Sequence, residues 1–393
     1  MSHHSWLRRH VKSFALVAPL ALFLGLFFLA PLATMMKAAV SDPVASQALP
    51  RTARTLVDWD RASAPSAASQ KALIKDIRDI EDDQLFGELV RRLNSAKSGF
   101  RTLMSKTRRA VQEDDSLGEL ASVDRRWAEL PYWIAVQNAA SNPVTDRNLL
   151  AAVDLGRDAA GQIVAAPEGT SANRSILLRT LIIGAVVTVC CLAIGLPFAM
   201  IAASVDGWKR QLLLGAVLLP LWTSLLVRTA SWYILLQDNG LINSLLQFAG
   251  LTSAPVPLIF NRAGVVIAMT HVLLPFMVLP IFSVLLGIPK NLMPAAASLG
   301  ASPLRSFWLV LLPLSLRGVV SGCLLVFMTA IGYYITPALI GGAKDQMISG
   351  VIAYYATGAA NWGMAGALGI VLLLTTILLY VVYMRFSAEE AKA

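Results

Sequence analysis

Few residues of this chain combine a type and a spacing that could carry chemistry, and they bound what it can do. Arg228 sits inside an apolar run spanning 212–236. A charge there costs at least a few kcal/mol in a membrane, so it faces a protein interior, a cavity or an interface. Two roles fit it: lining or gating a pathway, or snorkelling to an interface and tying helices together through backbone carbonyls. Trp232 and Tyr233 follow one helical turn later, and Tyr333 and Tyr334 lie near the end of another apolar run. Aromatic faces attract ammonium groups, which suits a cavity for a cation; the same four residues suit an aromatic belt at the membrane surface. A quieter group is Pro294, Ala295, Ala296 and Ala297 leading to Gly300, with Arg305 and Pro313 beyond. Glycine accepts the positive φ of a tight helix–helix turn and proline can begin a helix, so two short helices joined at Gly300 are expected.

Other chemistries lack their residues. No GxxxxGK[ST] occurs, so the chain is not itself the ATPase of a pump, and there is no HExxH or GxSxG. Cys190, Cys191 and Cys323 all lie in apolar runs, and no spacing suits a metal. Three histidines, His3, His4 and His10, cluster at the start, and His271 stands in an apolar run. Proton coupling favours buried acids, yet the near-membrane candidates Asp238 and Asp345 fall in loops. A non-enzymatic membrane chain with no cofactor of its own is expected.

The elements that position these residues are read from hydropathy. Apolar residues make up 56% of the sequence and charged ones 15%, with a mean hydropathy of +0.62, which is a membrane composition. Residues 37–173 hold 18 Lys and Arg against 19 Asp and Glu, so the net charge of +9 belongs to the rest. Basic residues flanking spans explain that excess, and no nucleic-acid partner is implied. The first apolar run, 14–36, follows Arg8, Arg9 and Lys12 and is long enough, at about 35 Å, to cross a bilayer. A cleaved signal peptide has a shorter apolar centre, so an uncleaved span is expected.

Residues 37–173 then form one long polar block. Pro43, Pro50 and Pro65 suggest an irregular opening. Helical periodicity begins at Ser69, with Leu73, Ile74, Ile77 and Ile80, then Leu85 and Leu89. Further helices are predicted over 99–111 and 124–140, the last interrupted at Pro131. Five more spans follow at 176–203, 212–236, 264–286, 319–339 and 363–384. Lys209, Arg210, Lys290, Arg305, Arg317 and Arg385 fall in short segments on the side of the N-terminus, against Arg262 and Lys344 opposite. By the positive-inside rule both termini, and the Pro294–Pro313 stretch, are cytoplasmic.

With that placement, Pro294-Ala295-Ala296-x3-Gly300-x9-Val310-x-Leu312-Pro313 resembles the EAA loop of ABC-importer permeases. The runs Pro220–Trp232, 239–243, 274–280 and 335–342 resemble spermidine/putrescine-type permeases, the likeness covering residues 174–385. The resemblance implies a five-helix type I permease core over 174–385. With the spans read above, the fold expected is an all-α membrane protein of six helices, with a first helix within 1–36, a mostly helical periplasmic insertion at 37–173 that lies outside the resemblance, and a tail at 386–393. The resemblance also implies that 289–316 docks in a groove of a cytoplasmic ATPase present in two copies, which binds the ATP and Mg. A second permease and a periplasmic binding protein complete the implied assembly, the latter engaging 37–173 by analogy with the large loop of maltose-type permeases. Arg228, Trp232, Tyr233, Tyr333 and Tyr334 become pathway candidates. The chain departs from the family at Pro294, where glutamate is usual, and at Tyr333-Tyr334, where an acidic residue is frequent. Polyamines lead as cargo, with opine-like amines, other organic cations and ferric iron as alternatives. A secondary transporter or channel would need no ATPase, and a sensor using 37–173 as receptor would need a larger cytoplasmic domain than these segments provide.

Overall fold

The computed structural model describes residues 17–114, 117–141, 144–157, 162–167, 169 and 172–390. The basic cluster Arg8, Arg9 and Lys12 lies outside the described residues. The chain divides into two compact units, Met1–Leu150 with Trp362–Ala367, and Ala151–Asn361 with Leu368–Ala393.

The first unit opens with helix α1, Val17–Val40, whose 24 residues, nearly all apolar, suffice to cross a bilayer. Nearly all of its surface is exposed, including Phe23, Phe27 and Phe28. Seven shorter helices follow: α2 (Val44–Ala48), α3 (Pro50–Leu56), α4 (Ala67–Asp79), α5 (Asp83–Ala96), α6 (Phe100–Glu113), α7 (Leu130–Ser141) and α8 (Arg147–Ala152). The opening of the block is therefore not irregular. Pro43 caps α2 and Pro50 begins α3, positions where the missing N–H has no intrahelical partner to lose, and Leu49 and Leu56 are fully buried. The stretch 124–140 is interrupted as expected, at Glu129, between a 3-10 turn over Arg125–Ala128 and α7, with Pro131 in the first turn of α7. The helical pattern after Ser69 does break, at Ile80–Asp82, because the Asp82 carboxylate accepts the Gln84 N–H and starts a new helix.

This block has its own core, built from Leu73, Ile77, Leu89, Leu93, Phe100, Leu103, Trp127, Trp133 and Val136. Its polar groups are paired. Trp127 Nε1 donates to Thr107 Oγ1 at 2.9 Å and Trp133 Nε1 to the Trp127 carbonyl at 2.7 Å. The buried Asp76 carboxylate accepts from Thr52 N and Thr52 Oγ1, both at 2.7 Å. Such satisfaction is what lets polar groups stay in a dry core.

The second unit begins with a small hairpin, β1 (Leu155–Arg157) against β2 (Ile163–Ala165), antiparallel, and continues into α9 (Asn173–Ser204). Asp154 accepts the Asn173 and Arg174 N–H groups at 2.9 Å each and so caps α9. Then come α10 (Trp208–Trp222), α11 (Leu225–Leu235), α12 (Leu241–Phe248), α13 (Arg262–Gly287), α14 (Leu292–Ser298), α15 (Pro303–Gly332), α16 (Ile335–Ile340), α17 (Ile348–Ala353) and α18 (Trp362–Glu390). Helices α9, α13 and α15 pack mutually and form the core, with α13 the most enclosed. Lipid is as apolar as leucine, so close packing across small residues must hold these helices together. Gly318 and Gly322 of α15 allow it: a Cβ on Gly318 would lie 2.9 Å from Ile281 Cα, and one on Gly322 would lie 3.0 Å from the Met277 carbonyl oxygen.

Five described helices are long and apolar enough to cross a membrane, and α10 with α11 makes a sixth if the pair counts as one span. Two sequence expectations change here. The run 212–236 is not one straight helix: α10 and α11 meet at an angle of 101°. Helix α10 ends at Trp222, two residues after Pro220, and the Ser224 hydroxyl, accepting the Val227 N–H, starts α11. The span predicted over 319–339 instead runs from Pro303 to Gly332 and stops before Tyr333-Tyr334.

Candidate functional site

The stretch from Lys290 to Pro313 is built as a stop signal followed by a start signal. Pro294 occupies the first turn of α14, where it forfeits no intrahelical hydrogen bond. The helix ends in a two-bond cap: Ala301 N donates to the Ala296 carbonyl at 3.0 Å and Gly300 N to Ala297 at 2.9 Å. Gly300 supplies the φ of +85° that this cap needs. Ser302 then caps α15 by accepting the Arg305 N–H, and Pro303 is its first residue. The second helix is thus not short. It is the 30-residue span itself. Pro313 lies within it, just after a π-helical stretch, Phe307–Leu311, that accommodates the missing donor.

Pro294, Ala295, Gly300 and Arg305 are exposed, and Leu299, at the turn, is 88% exposed. Leu304 and Trp308 carry that apolar surface onto α15. Behind it, Asp206 of the α9–α10 loop accepts from both Lys290 and Arg210, which links this segment to the neighbouring loop. A rigid turn with an apolar tip, one helix of which is a membrane span, can pass the movement of a docked partner into the membrane.

The pathway candidates do not form one site. Arg228 donates through Nη2 to the Thr223 carbonyl at 2.7 Å, which closes the break between α10 and α11. Trp232 Nε1 donates to His271 Nδ1 at 3.0 Å. Thr229 and Thr336 pair their hydroxyls at 3.1 Å. These groups make a polar seam between α11, α13 and the segment after α15. Tyr233 instead stacks edge-on against Phe260, with ring centroids 6.0 Å apart. Tyr334 lines a separate cavity of about 540 Å³ together with Asn173, Gln346, Tyr354 and Tyr355. Sequence reasoning missed His271 and, Tyr334 apart, the cavity residues. A lone histidine in an apolar run, and tyrosines in what reads as a connecting loop, carry no spacing signal.

In the first unit, ion pairs are concentrated on the helical block. The Arg126 guanidinium beside Asp124 holds that carboxyl well below the usual carboxylate range. Arg92 and Arg147 converge on Asp42, and burial together with the Arg92 charge lowers Arg147 to about 10. Among the described residues no group of His, Cys, Asp and Glu is arranged to hold a metal.

A family model described as binding-protein-dependent transport system inner membrane component matches residues 195–388. The spermidine/putrescine transport system permease protein PotB of Escherichia coli (strain K12) is 35% identical over 212 residues, covering 54% of this chain and 77% of that protein. The inner membrane ABC transporter permease protein YdcU of the same strain is 31% identical over 228 residues, covering 55% and 71%. Among solved structures, a bacterial alginate ABC transporter in complex with an alginate pentasaccharide-bound periplasmic protein aligns with a TM-score of 0.44 and 17% identity, over 56% of this chain and 79% of that one. The match takes in the turn at Gly300, the broken pair and the last three long helices, and the chain belongs to the binding-protein-dependent transport system inner membrane components, as a non-catalytic multi-pass permease subunit of an ABC importer.

Proposed function

We propose that this permease forms half of the translocation pathway for a polyamine of the spermidine/putrescine kind. The observation that carries this reading is the 35% identity to PotB across the spans. The mechanism is alternating access driven by a separate ATPase. Two ATPase copies hold the ATP and Mg, and one of them receives residues 289–316, with Leu299 and Arg305 at the contact. A second permease supplies the other half of the pathway. Both termini face the cytoplasm, as the basic short segments support.

The proposed division is a first span within 1–36, a periplasmic insertion at 37–173 that engages the binding protein, the core at 174–385 and a cytoplasmic tail at 386–393. Arg228, Trp232, Tyr233, Tyr333 and Tyr334 border the route, Arg228 by holding the broken helix in shape.

The test is uptake of radiolabelled putrescine and spermidine into proteoliposomes holding the complete transporter and its binding protein. Uptake that requires ATP is expected. Uptake without the ATPase would refute the coupled mechanism, and import only of an opine-like amine, another organic cation or ferric iron would refute the polyamine assignment.

A further inference from the structure

The cavity of about 540 Å³ in the second unit is absorbed by neither the coupling segment nor the Arg228 seam. Its size falls in the range of about 300–1,000 Å³ that small-molecule sites occupy. It is bordered by the first turn of α9, by α16 with the loop after it, and by α17 with its continuation. That continuation, Tyr354–Gly358, is π-helical, a form found mostly as short insertions in α-helices and frequent at functional sites. It carries Tyr354 and Tyr355 with ring centroids 5.7 Å apart and planes at 65°. Tyr334 and Gln346 complete the chemically active lining, and among the described residues no lining side chain is charged.

The wall is fixed. Ile348 N donates to Thr180 Oγ1 at 2.8 Å, Ser349 Oγ to the Tyr333 carbonyl at 2.6 Å, and Arg179 to the Gln346 carbonyl at 3.4 Å. Asn173 donates its amide to the Ala151 carbonyl at 2.9 Å and anchors the opposite side. Tyr354 is nevertheless 63% exposed and Tyr334 44%. Three tyrosines therefore border an open space whose backbone wall is tied down.

Ring faces attract an ammonium group through their quadrupole, and phenol and carboxamide oxygens accept its N–H groups. With no carboxylate in the lining the attraction is weak, and a transit site must release its ligand as readily as it admits it. We propose that this cavity is a transit site for an organic ammonium ion, in which the faces of Tyr334, Tyr354 and Tyr355 receive the charged nitrogen and the Gln346 carboxamide accepts one of its N–H groups. The proposal rests on the reading of the cargo as a polyamine-type cation.

The test uses the complete transporter with its ATPase and binding protein in proteoliposomes, reading putrescine taken up per ATP hydrolysed. The double variant Y354A/Y355A is expected to lower that ratio about tenfold, as the loss of two cation–π contacts near 0.7 kcal/mol each implies. Y354F/Y355F keeps the faces and is expected to retain at least half of the wild-type ratio. An undiminished ratio in the alanine variant, with wild-type uptake present, overturns the site alone. Equal loss in the phenylalanine variant overturns the role of the ring faces. Wild-type protein that imports another solute and no polyamine overturns the cargo reading, and this site with it.

Discussion

Gly300 offers the sharpest test of how the coupling segment holds its shape. Its φ is +85°, and a Cβ built on it meets nothing within 4 Å. Substitution there adds no clash, so the whole effect is conformational. A left-handed backbone costs an ordinary L-residue about 1–2 kcal/mol, less for asparagine and more for a β-branched residue. Against this stand the two cap bonds at 2.9 and 3.0 Å, each contributing about 0.5–1.5 kcal/mol net. The turn is thus held by about 1–3 kcal/mol of its own, and Gly300→Ala removes most of it. Coupling should follow the order Gly, Asn, Ala, Val, with the alanine variant several-fold down and the valine variant lower still. The assay is ATP hydrolysis stimulated by the binding protein, read beside copurification of the ATPase. Alanine and valine variants matching wild type would refute the conformational account. An asparagine variant as damaged as valine would also refute it, because that pattern means a partner surface contacts Gly300 directly.

Three further outcomes follow from the packing. Asp76→Ala leaves the Thr52 N–H and hydroxyl without an acceptor and should destabilise the helical block by about 2–5 kcal/mol; hydrogen exchange in peptides covering 44–56 should accelerate by tenfold or more, and less in Asp76→Asn. Gly318→Ala drives a Cβ into backbone atoms of α13 and should lower the thermal midpoint of the detergent-solubilised chain, whereas Gly215→Ala, with open space around it, should not. Asp124 titrates below its ordinary value because Arg126 stabilises the carboxylate, so its contribution to folding is complete above about pH 4 and is lost as pH falls below that; Asp124→Asn should flatten the acid limb of stability measured by circular dichroism.

How far the fold was legible depended on what each element's signal is made of. Spans α9, α13 and α18 were legible within a few residues because hydropathy alone defines them. The turn at Gly300 was legible because its residues are the physical requirements of the turn: a glycine for positive φ, then Ser302 and Pro303 to restart a helix. Prolines misled the reading in both directions. Pro43 and Pro50 suggest irregular chain, yet each sits where a helix starts. Pro313 was placed before a span that in fact begins ten residues earlier, since the π stretch absorbs its missing donor. The cavity was illegible for another reason. Tyr334, Gln346 and Tyr354 come together only through the fold of α16 and α17 onto α9, and no periodicity records that.

The break between α10 and α11 joins these strands, because it explains a charge that sequence alone left with two roles. A helix broken within a membrane exposes carbonyls that lipid cannot satisfy, so protein groups must do so. Arg228 does this for Thr223, and its place inside an apolar run is what brings it within reach. The opposing chain is interrupted as well, at Tyr333-Tyr334, and the Thr229–Thr336 hydroxyl pair bridges the two interrupted segments. The two segments also share apolar packing, with Leu236 and Ile340 fully buried in one cluster with Ala268 of α13. The continuous helices α9, α13 and α15 are locked through glycine contacts. Because α15 begins at the turn at Gly300 and ends at the interrupted segment, the proposed coupling would carry a push at Gly300 along this one helix to Tyr333-Tyr334.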